Sequence, residues 1–294
     1  MAGTVLGIVS PGAMGSALGR AWQAAGARVV ATTRGRSART AALARGLDLL
    51  DDLHGVVAAA DVVLSVCPPS QAPDVAEALA DAAKHTGHRP LVVDLNAVAP
   101  TTMGHVAQTL AAASLDVVDG SISGGPPTGR GRPTRVYLSG PRAAEIAGLQ
   151  APGIALEVVS ARIGDASAVK MCTASVYKGF AGLLTQALRT AEANGVTDLV
   201  VADLQGSFGS RVEDAAVNLA LAASKADRYP AEMREIAATQ HGAGLAGDLF
   251  EAMARLFEAV DQTALAQHTP EEAAHLSDLH DVLAQLSTRR AAAG

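Results

Sequence analysis

Val5-Leu6-Gly7-Ile8-Val9-Ser10-Pro11-Gly12-Ala13-Met14-Gly15-Ser16-Ala17-Leu18-Gly19 joins a short apolar strand to a glycine turn that opens a helix. Ser10, Pro11, Gly12, Ala13, Met14 and Gly15 make the turn. A helix starting there presents free N–H groups and a positive dipole end, the combination that holds phosphate. Gly12 lets the backbone approach a pyrophosphate, and Gly15 lets the helix pack closely on the strand. The pattern is G-x-G-x-x-G with Ser10 in place of the first glycine, and its meaning depends on the strand and helix around it. That context continues outward. Residues 5–9, 28–32, 62–66, 91–94 and 115–119 read as strands alternating with helical patterns, and 136–139 and 155–159 extend the set. Such alternation specifies an α/β fold with a parallel, doubly wound sheet of Rossmann type, covered on both faces, over residues 1–163.

After Gly164 the strand signals stop and apolar residues recur every third or fourth position, so residues 164–294 read as an all-helical domain. Its helices are predicted over 165–193, 198–205, 212–226, 231–240, 248–267 and 271–289. The first carries one apolar stripe, Val169, Cys172, Val176, Phe180, Leu183 and Ala187, expected to be buried. A second stripe, about 100° away, holds Lys170, Thr173, Tyr177 and Lys178 and is expected to face a cleft.

Composition narrows the function. The chain has 294 residues, enough for two domains, and its net charge of -6 offers no basic footprint for nucleic acid. No apolar run reaches transmembrane length and no basic N-terminal flank marks a signal peptide. Cys67 and Cys172 are the only cysteines, which fits a reducing cytoplasm better than a disulfide framework. The eight histidines are dispersed and no Cys or His pair has ligand spacing, so no metal site is expected. A small-molecule enzyme that works as a homodimer, through apolar helical faces left over from the second domain, is the expectation.

The end of the second predicted strand speaks to the cofactor. NAD-binding proteins carry Asp or Glu there to bond the ribose hydroxyls. This chain reads Ala31-Thr32-Thr33-Arg34-Gly35-Arg36-Ser37. Thr33, Arg34, Arg36 and Ser37 supply hydroxyl and guanidinium donors where a 2′-phosphate would sit, which points to NADPH. The alternative is that the arginines only solvate a helix start.

Four further segments resemble, in order, the β-hydroxyacid dehydrogenases, the family of 3-hydroxyisobutyrate and 6-phosphogluconate dehydrogenases. Val66-Cys67-Pro68-Pro69 resembles its proline-containing loop, and Asp94-Leu95-Asn96-Ala97-Val98-Ala99-Pro100 its D-x-S/N motif. Gly120-Ser121-Ile122-Ser123-Gly124-Gly125 resembles its substrate loop, and Gly164-Asp165-Ala166-Ser167-Ala168-Val169-Lys170 the start of its catalytic helix. Glu232-Met233-Arg234-Glu235-Ile236-Ala237 is similar to a bacterial subgroup with a phosphogluconate-dehydrogenase-like C-terminal domain. The resemblance implies that Cys67, Pro68 and Pro69 lie beside the nicotinamide, that Ser123, Gly124 and Gly125 bind substrate, and that Lys170 is catalytic.

The chemistry agrees with that implication. Reduction of a carbonyl generates an alkoxide, and an ammonium in a closing cleft can stabilise it and protonate it. Of the four lysines, Lys84, Lys170, Lys178 and Lys225, two fall on the cleft-facing stripe. Ser123 and the N–H groups of Gly124 and Gly125 would cradle a substrate carboxylate, or else form only a tight turn. Asn96 either positions the substrate oxygen or the nicotinamide amide, or is ordinary turn chemistry. Arg130, Arg132 and Arg135 are a second anion site or a solvated face. In the family an asparagine follows the lysine by one helical turn; here the position is Ala174, and Thr173 is the substitute, with Tyr177 and Lys178 as further substrate contacts. The leading expectation is an NADPH-dependent reductase of a small carbonyl acid. The alternatives are an imine reductase, disfavoured because Lys170 would repel an iminium, and a non-catalytic NADPH-binding sensor.

Overall fold

A computed structural model describes residues 3–127 and 131–290. The chain divides into two compact units, Met1–Cys172 and Thr173–Gly294. In the first unit eight strands, β1 (Val5–Ile8), β2 (Arg28–Ala31), β3 (Asp48–Leu49), β4 (Val62–Ser65), β5 (Leu91–Asp94), β6 (Val117–Ser123), β7 (Thr134–Ser139) and β8 (Ile154–Ser160), form one sheet. Helices α1 (Ala13–Ala24), α2 (Ala38–Leu43), α3 (Leu53–Ala59), α4 (Ala72–Thr86), α5 (Pro100–Ala111) and α6 (Ala143–Ala147) connect them. The strand order is β3-β2-β1-β4-β5-β6-β7-β8. All pairings are parallel except β6 with β7. The predicted doubly wound α/β sheet is therefore present. Its two added strands enter through one antiparallel step, and the two-residue edge strand β3 was too short to leave a periodic signal.

Burial on both faces explains why the central strands read as continuous apolar runs. All four residues of β4 and all four of β5 are buried. Leu64 and Val93 join one core with Leu6, Ile8, Leu18 and Trp22, whereas Val63 and Val92 join the opposite core with Leu79, Met103 and Leu110. The sole tryptophan, Trp22, is 1% exposed and donates its indole N–H to the Leu149 carbonyl at 2.8 Å, tying α1 to the segment after α6.

Helix α7 (Asp165–Ala193) crosses the division between the units and has the predicted extent. The second unit continues with α8 (Thr197–Phe208), α9 (Ser210–Glu213), α10 (Ala215–Ala223), α11 (Tyr229–Gly242), α12 (Asp248–Asp261), α13 (Pro270–Ala273) and α14 (Leu279–Ser287). Three predicted helices are divided: 212–226 breaks at Asp214, 248–267 ends as a 3₁₀ turn, and 271–289 splits in two. The buried face of α7 also differs from the expectation. Met171, Ala174, Gly182, Leu184, Leu188 and Ala191 are buried, whereas Cys172, Val176 and Leu183 are exposed. The reason is close packing through small residues. A Cβ at Gly179 would lie 3.5 Å from the Phe250 ring, and one at Gly182 would lie 3.4 Å from Met253 Sδ, so α12 packs on the glycine side of α7.

Candidate functional site

The loops that follow the parallel strands gather at one edge of the first unit's sheet. β1 feeds the Ser10 to Gly15 turn, β2 feeds Thr33 to Ser37, β4 feeds Cys67 to Pro69, β5 feeds Asn96, and β6 ends at Ser123. Strand order reverses between β1 and β4, and the crevice at such a switch point is where open α/β sheets bind ligands.

The turn after β1 fits a pyrophosphate. Gly15 tolerates no side chain, because a Cβ there would lie 2.5 Å from the Ser10 carbonyl oxygen. At Gly12 a Cβ would meet open space, so the protein's own packing does not require glycine and approach from outside is the remaining reason. No side chain caps α1, and Ser10 Oγ is buried with no hydrogen-bond partner. Leaving such a hydroxyl unmet costs about 1–3 kcal/mol, which a phosphate oxygen would relieve.

Beyond β2, Thr32, Arg34, Arg36, Asp52, His54 and Asp81 line a cavity of about 490 Å³. Arg34 is largely exposed and sits 3.5 Å from Asp52. Asp52 caps α3 by accepting the Gly55 N–H at 2.9 Å; that bond, together with His54 and Arg34, keeps its carboxyl below the usual range against an opposing effect of burial. Ser37 caps α2 through the Thr40 N–H at 3.2 Å, and Thr33 lies in the turn closed by the Arg36 N–H to the Thr33 carbonyl at 3.0 Å. Asp52 was missed in the sequence, where its place as a helix cap after β3 was the available signal.

The next two loops are joined by one polar network. Asn96 is 2% exposed; its Oδ1 accepts the Cys67 N–H at 2.7 Å, and its Nδ2 donates to Ser65 Oγ at 2.9 Å and Asp94 Oδ2 at 2.8 Å. Both amide N–H groups of Asn96 are thus engaged inside the protein, and its position controls the loop of Cys67, Pro68 and Pro69. Burial drives the Cys67 thiol up to about 12, with the Asp94 charge adding to it, which disfavours the thiolate. Asp94 is pushed up to about 7, by burial first and by Asp119 in addition, against the bonds from Asn96.

A carboxyl raised in the folded state favours folding most below its ordinary value, near pH 4, and this contribution is lost as pH rises towards 7. The melting-temperature advantage of wild type over Asp94→Asn is therefore expected to shrink between about pH 4 and about pH 7 and then level off. A difference that stays constant over that range would show that Asp94 does not titrate there.

Lys170 lies at the end of β6. Its Nζ donates to the Ile122 carbonyl at 2.7 Å, which sets the amine beside Ser123 and the Gly124-Gly125 loop. Gly124 has φ +111°, a conformation suited to glycine, and Thr134 Oγ1 anchors the loop through the Gly125 carbonyl at 2.6 Å. The helix carrying Lys170 is clamped by a polar network around Asp119, Ser121 and Ser139, a role the sequence reading did not assign to them. Asp119 is fully buried; its Oδ2 accepts from Gly164 N at 2.8 Å, Ser167 N at 3.1 Å and Ser139 Oγ at 2.8 Å, and its Oδ1 from Ser167 Oγ at 2.7 Å. Ser139 Oγ accepts the Ala166 N–H at 3.0 Å, and Ser121 Oγ donates to the Ala166 carbonyl at 2.8 Å. The signal was present: Asp119, Ser121 and Ser123 occupy alternate positions of one strand, and so share a face.

The remaining predicted residues have diverse settings. Arg135 bonds the Tyr137 hydroxyl at 3.1 Å and faces Glu157 at 3.8 Å on the strand surface; Arg132 is exposed and Arg130 lies outside the described residues. In the second unit Thr173 and Tyr177 are exposed, whereas Lys178 is largely buried in an ion pair with Glu232 and lies 5.1 Å from the Tyr229 ring centroid. Among the described residues no group of three or more His, Cys, Asp and Glu is placed to hold a metal, and no helix is long and apolar enough to cross a membrane.

Comparison with known proteins agrees with this geometry. Residues 5–147 match the NAD binding domain of 6-phosphogluconate dehydrogenase, and residues 191–260 match a domain of unknown function, DUF1932. A conserved hypothetical protein from Sinorhizobium meliloti is 28% identical, with 96% of each chain covered and a TM-score of 0.64. 3-Hydroxyisobutyrate dehydrogenase from Salmonella typhimurium shares the fold at 17% identity, with a TM-score of 0.68 over 96% of this chain and 99% of that one. The imine reductase from Myxococcus stipitatus, in complex with NADP+, shares it at 18% identity, with a TM-score of 0.54 over 97% of this chain and 100% of that one. The chain thus carries a nucleotide-binding domain similar to that of 6-phosphogluconate dehydrogenase over residues 5–147, a DUF1932 match over residues 191–260, and the fold of 3-hydroxyisobutyrate dehydrogenase.

Proposed function

We propose that the protein is an NADPH-dependent reductase that interconverts a small carbonyl acid and its hydroxy acid, with Lys170 as general acid and base. The observation that carries this reading is the 2.7 Å bond from Lys170 Nζ to the Ile122 carbonyl, which holds the amine next to the loop suited to a carboxylate. When bound, the reduced nicotinamide supplies the hydride. Lys170 stabilises the alkoxide and delivers its proton, while Ser123 and the N–H groups of Gly124 and Gly125 hold the substrate carboxylate. Asn96 acts through the loop of Cys67, Pro68 and Pro69, which it orients beside the nicotinamide. Thr173 takes the place of the family asparagine and Tyr177 contributes from further along α7. Lys178, already neutralised by Glu232, supports the helix.

Residues 1–163 would then be the dinucleotide domain and 164–294 the substrate and dimerisation domain. Val176, Leu183, Leu199 and Phe208 are exposed apolar side chains of the second unit and support a homodimer. The two free cysteines suit the cytoplasm.

Loss of NADPH absorbance with panels of oxo acids and cyclic imines tests the reaction. Turnover of oxo acids is expected; turnover of imines alone would overturn it. Cofactor choice rests on the donors after β2. In Arg34→Ala/Arg36→Ala the Kd for NADPH is expected to rise about 10-fold while that for NADH stays within about 2-fold. An unchanged ratio would remove the arginines from the site.

A further inference from the structure

In the second unit a cavity of about 300 Å³ opens among α7, α9, α10 and the start of α11. This is the lower end of the size of small-molecule sites. Leu184, Leu219 and Ala222 contribute apolar lining, and the Phe180 ring borders it, braced by Phe208 with ring centroids 5.7 Å apart. The charged groups that line it are Arg211 and Lys225, both cationic, and no carboxylate lines it.

Arg211 places its guanidinium 5.7 Å from the Phe180 ring centroid, and Asn218 Nδ2 donates to the Arg211 carbonyl at 3.2 Å, fixing the short helix that carries it. Lys225 is half-buried, and the charge beside it is another cation, Arg228; burial and that charge both draw its pKa down. Among the described residues neither Arg211 nor Lys225 has an ion-pair partner. The nearby acid, Glu232, is already shared between Lys178 and Arg228. Burying an ammonium without a counter-charge is costly, and the cavity wall supplies none.

We propose that this cavity binds a small organic anion with an aryl or branched alkyl body, its carboxylate at Lys225 and Arg211 and its body against Phe180, Leu184 and Leu219. The site lies within residues 177–229; it shares Tyr177 with the proposed substrate contacts but requires neither the nucleotide nor Lys170, so binding without cofactor tests it separately from the hydride-transfer reading.

Calorimetric titration of the full chain, without cofactor, with 3-phenylpropanoate, the neutral isostere 3-phenylpropanamide, and acetate tests it. The phenylpropanoate is expected to bind, with the amide and acetate each weaker by about 10-fold or more. Lys225→Met is expected to weaken phenylpropanoate binding by a similar factor and to raise the melting temperature slightly, because it removes a half-buried charge that faces no carboxylate. Lys84→Met, on α4, is expected to change neither. Equal binding of acid and amide would overturn the proposal, as would undiminished binding by a folded Lys225→Met. The ligand comparison is made on the wild-type chain and decides the matter even if the variant fails to fold.

Discussion

Replacing Lys170 by Met is expected to lower kcat for carbonyl reduction by about 10²–10⁴-fold while leaving NADPH affinity within about 2-fold. The split follows from where the amine sits. Lys170 bonds the carbonyl of Ile122 at the end of β6, whereas the turn suited to the pyrophosphate follows β1, with β4 and β5 between them in the sheet. Loss of the amine should therefore remove proton delivery without disturbing the nucleotide. Lys170→Arg separates charge from proton transfer. A guanidinium keeps the positive charge but does not release a proton near neutrality, so this variant should be nearly as impaired as Lys170→Met. Steady-state kinetics with NADPH titrations checks both, and a Lys170→Met enzyme within about 10-fold of wild type would rule out the lysine as the acid.

Asp119→Asn is expected to have the largest effect on the architecture that holds that lysine. One carboxylate accepts four hydrogen bonds, two from the backbone at the start of α7 and two from Ser139 and Ser167. An amide offers one acceptor oxygen and turns an NH2 towards donors, so buried N–H or O–H groups lose their partners. At about 1–3 kcal/mol for each group left unmet, a loss of roughly 3 kcal/mol in urea denaturation is expected. Because Gly164 leads into α7 and Ala166 and Ser167 precede Lys170 on it, kcat measured below the melting transition should also fall about 10-fold, with the pH profile of kcat displaced and NADPH affinity retained. Lower stability with an unchanged kcat and pH profile would assign Asp119 to folding alone.

Much of this molecule is legible in its sequence. The central strands β4 and β5 are buried on both faces and so appear as unbroken apolar runs, and the helices between them carry period and punctuation. Gly15 could be read as a packing requirement, and the space around it confirms that no side chain fits. Other features left no such trace. Helix α7 has small or aliphatic residues around most of its circumference, so periodicity selected the wrong buried face; the approach of Phe250 and Met253 to Gly179 and Gly182 decided it. The ion pair of Lys178 with Glu232 was equally invisible in the sequence, because the two residues lie 54 positions apart in the chain.

The sequence by itself determined the alternation of strand and helix, the glycine turn after β1 and the presence of a lysine at the start of a long helix. These are local properties, set by side-chain period, backbone freedom and helix-end chemistry within a few residues. Tertiary structure alone decided which polar groups meet. Asp119 reaches Gly164 across 45 residues, Asn96 reaches Cys67 across 29, and Lys170 reaches Ile122 across 48. Those pairings depend on strand register and on how α7 docks against β6 and β7, and a buried donor takes whichever acceptor that packing brings within 3 Å.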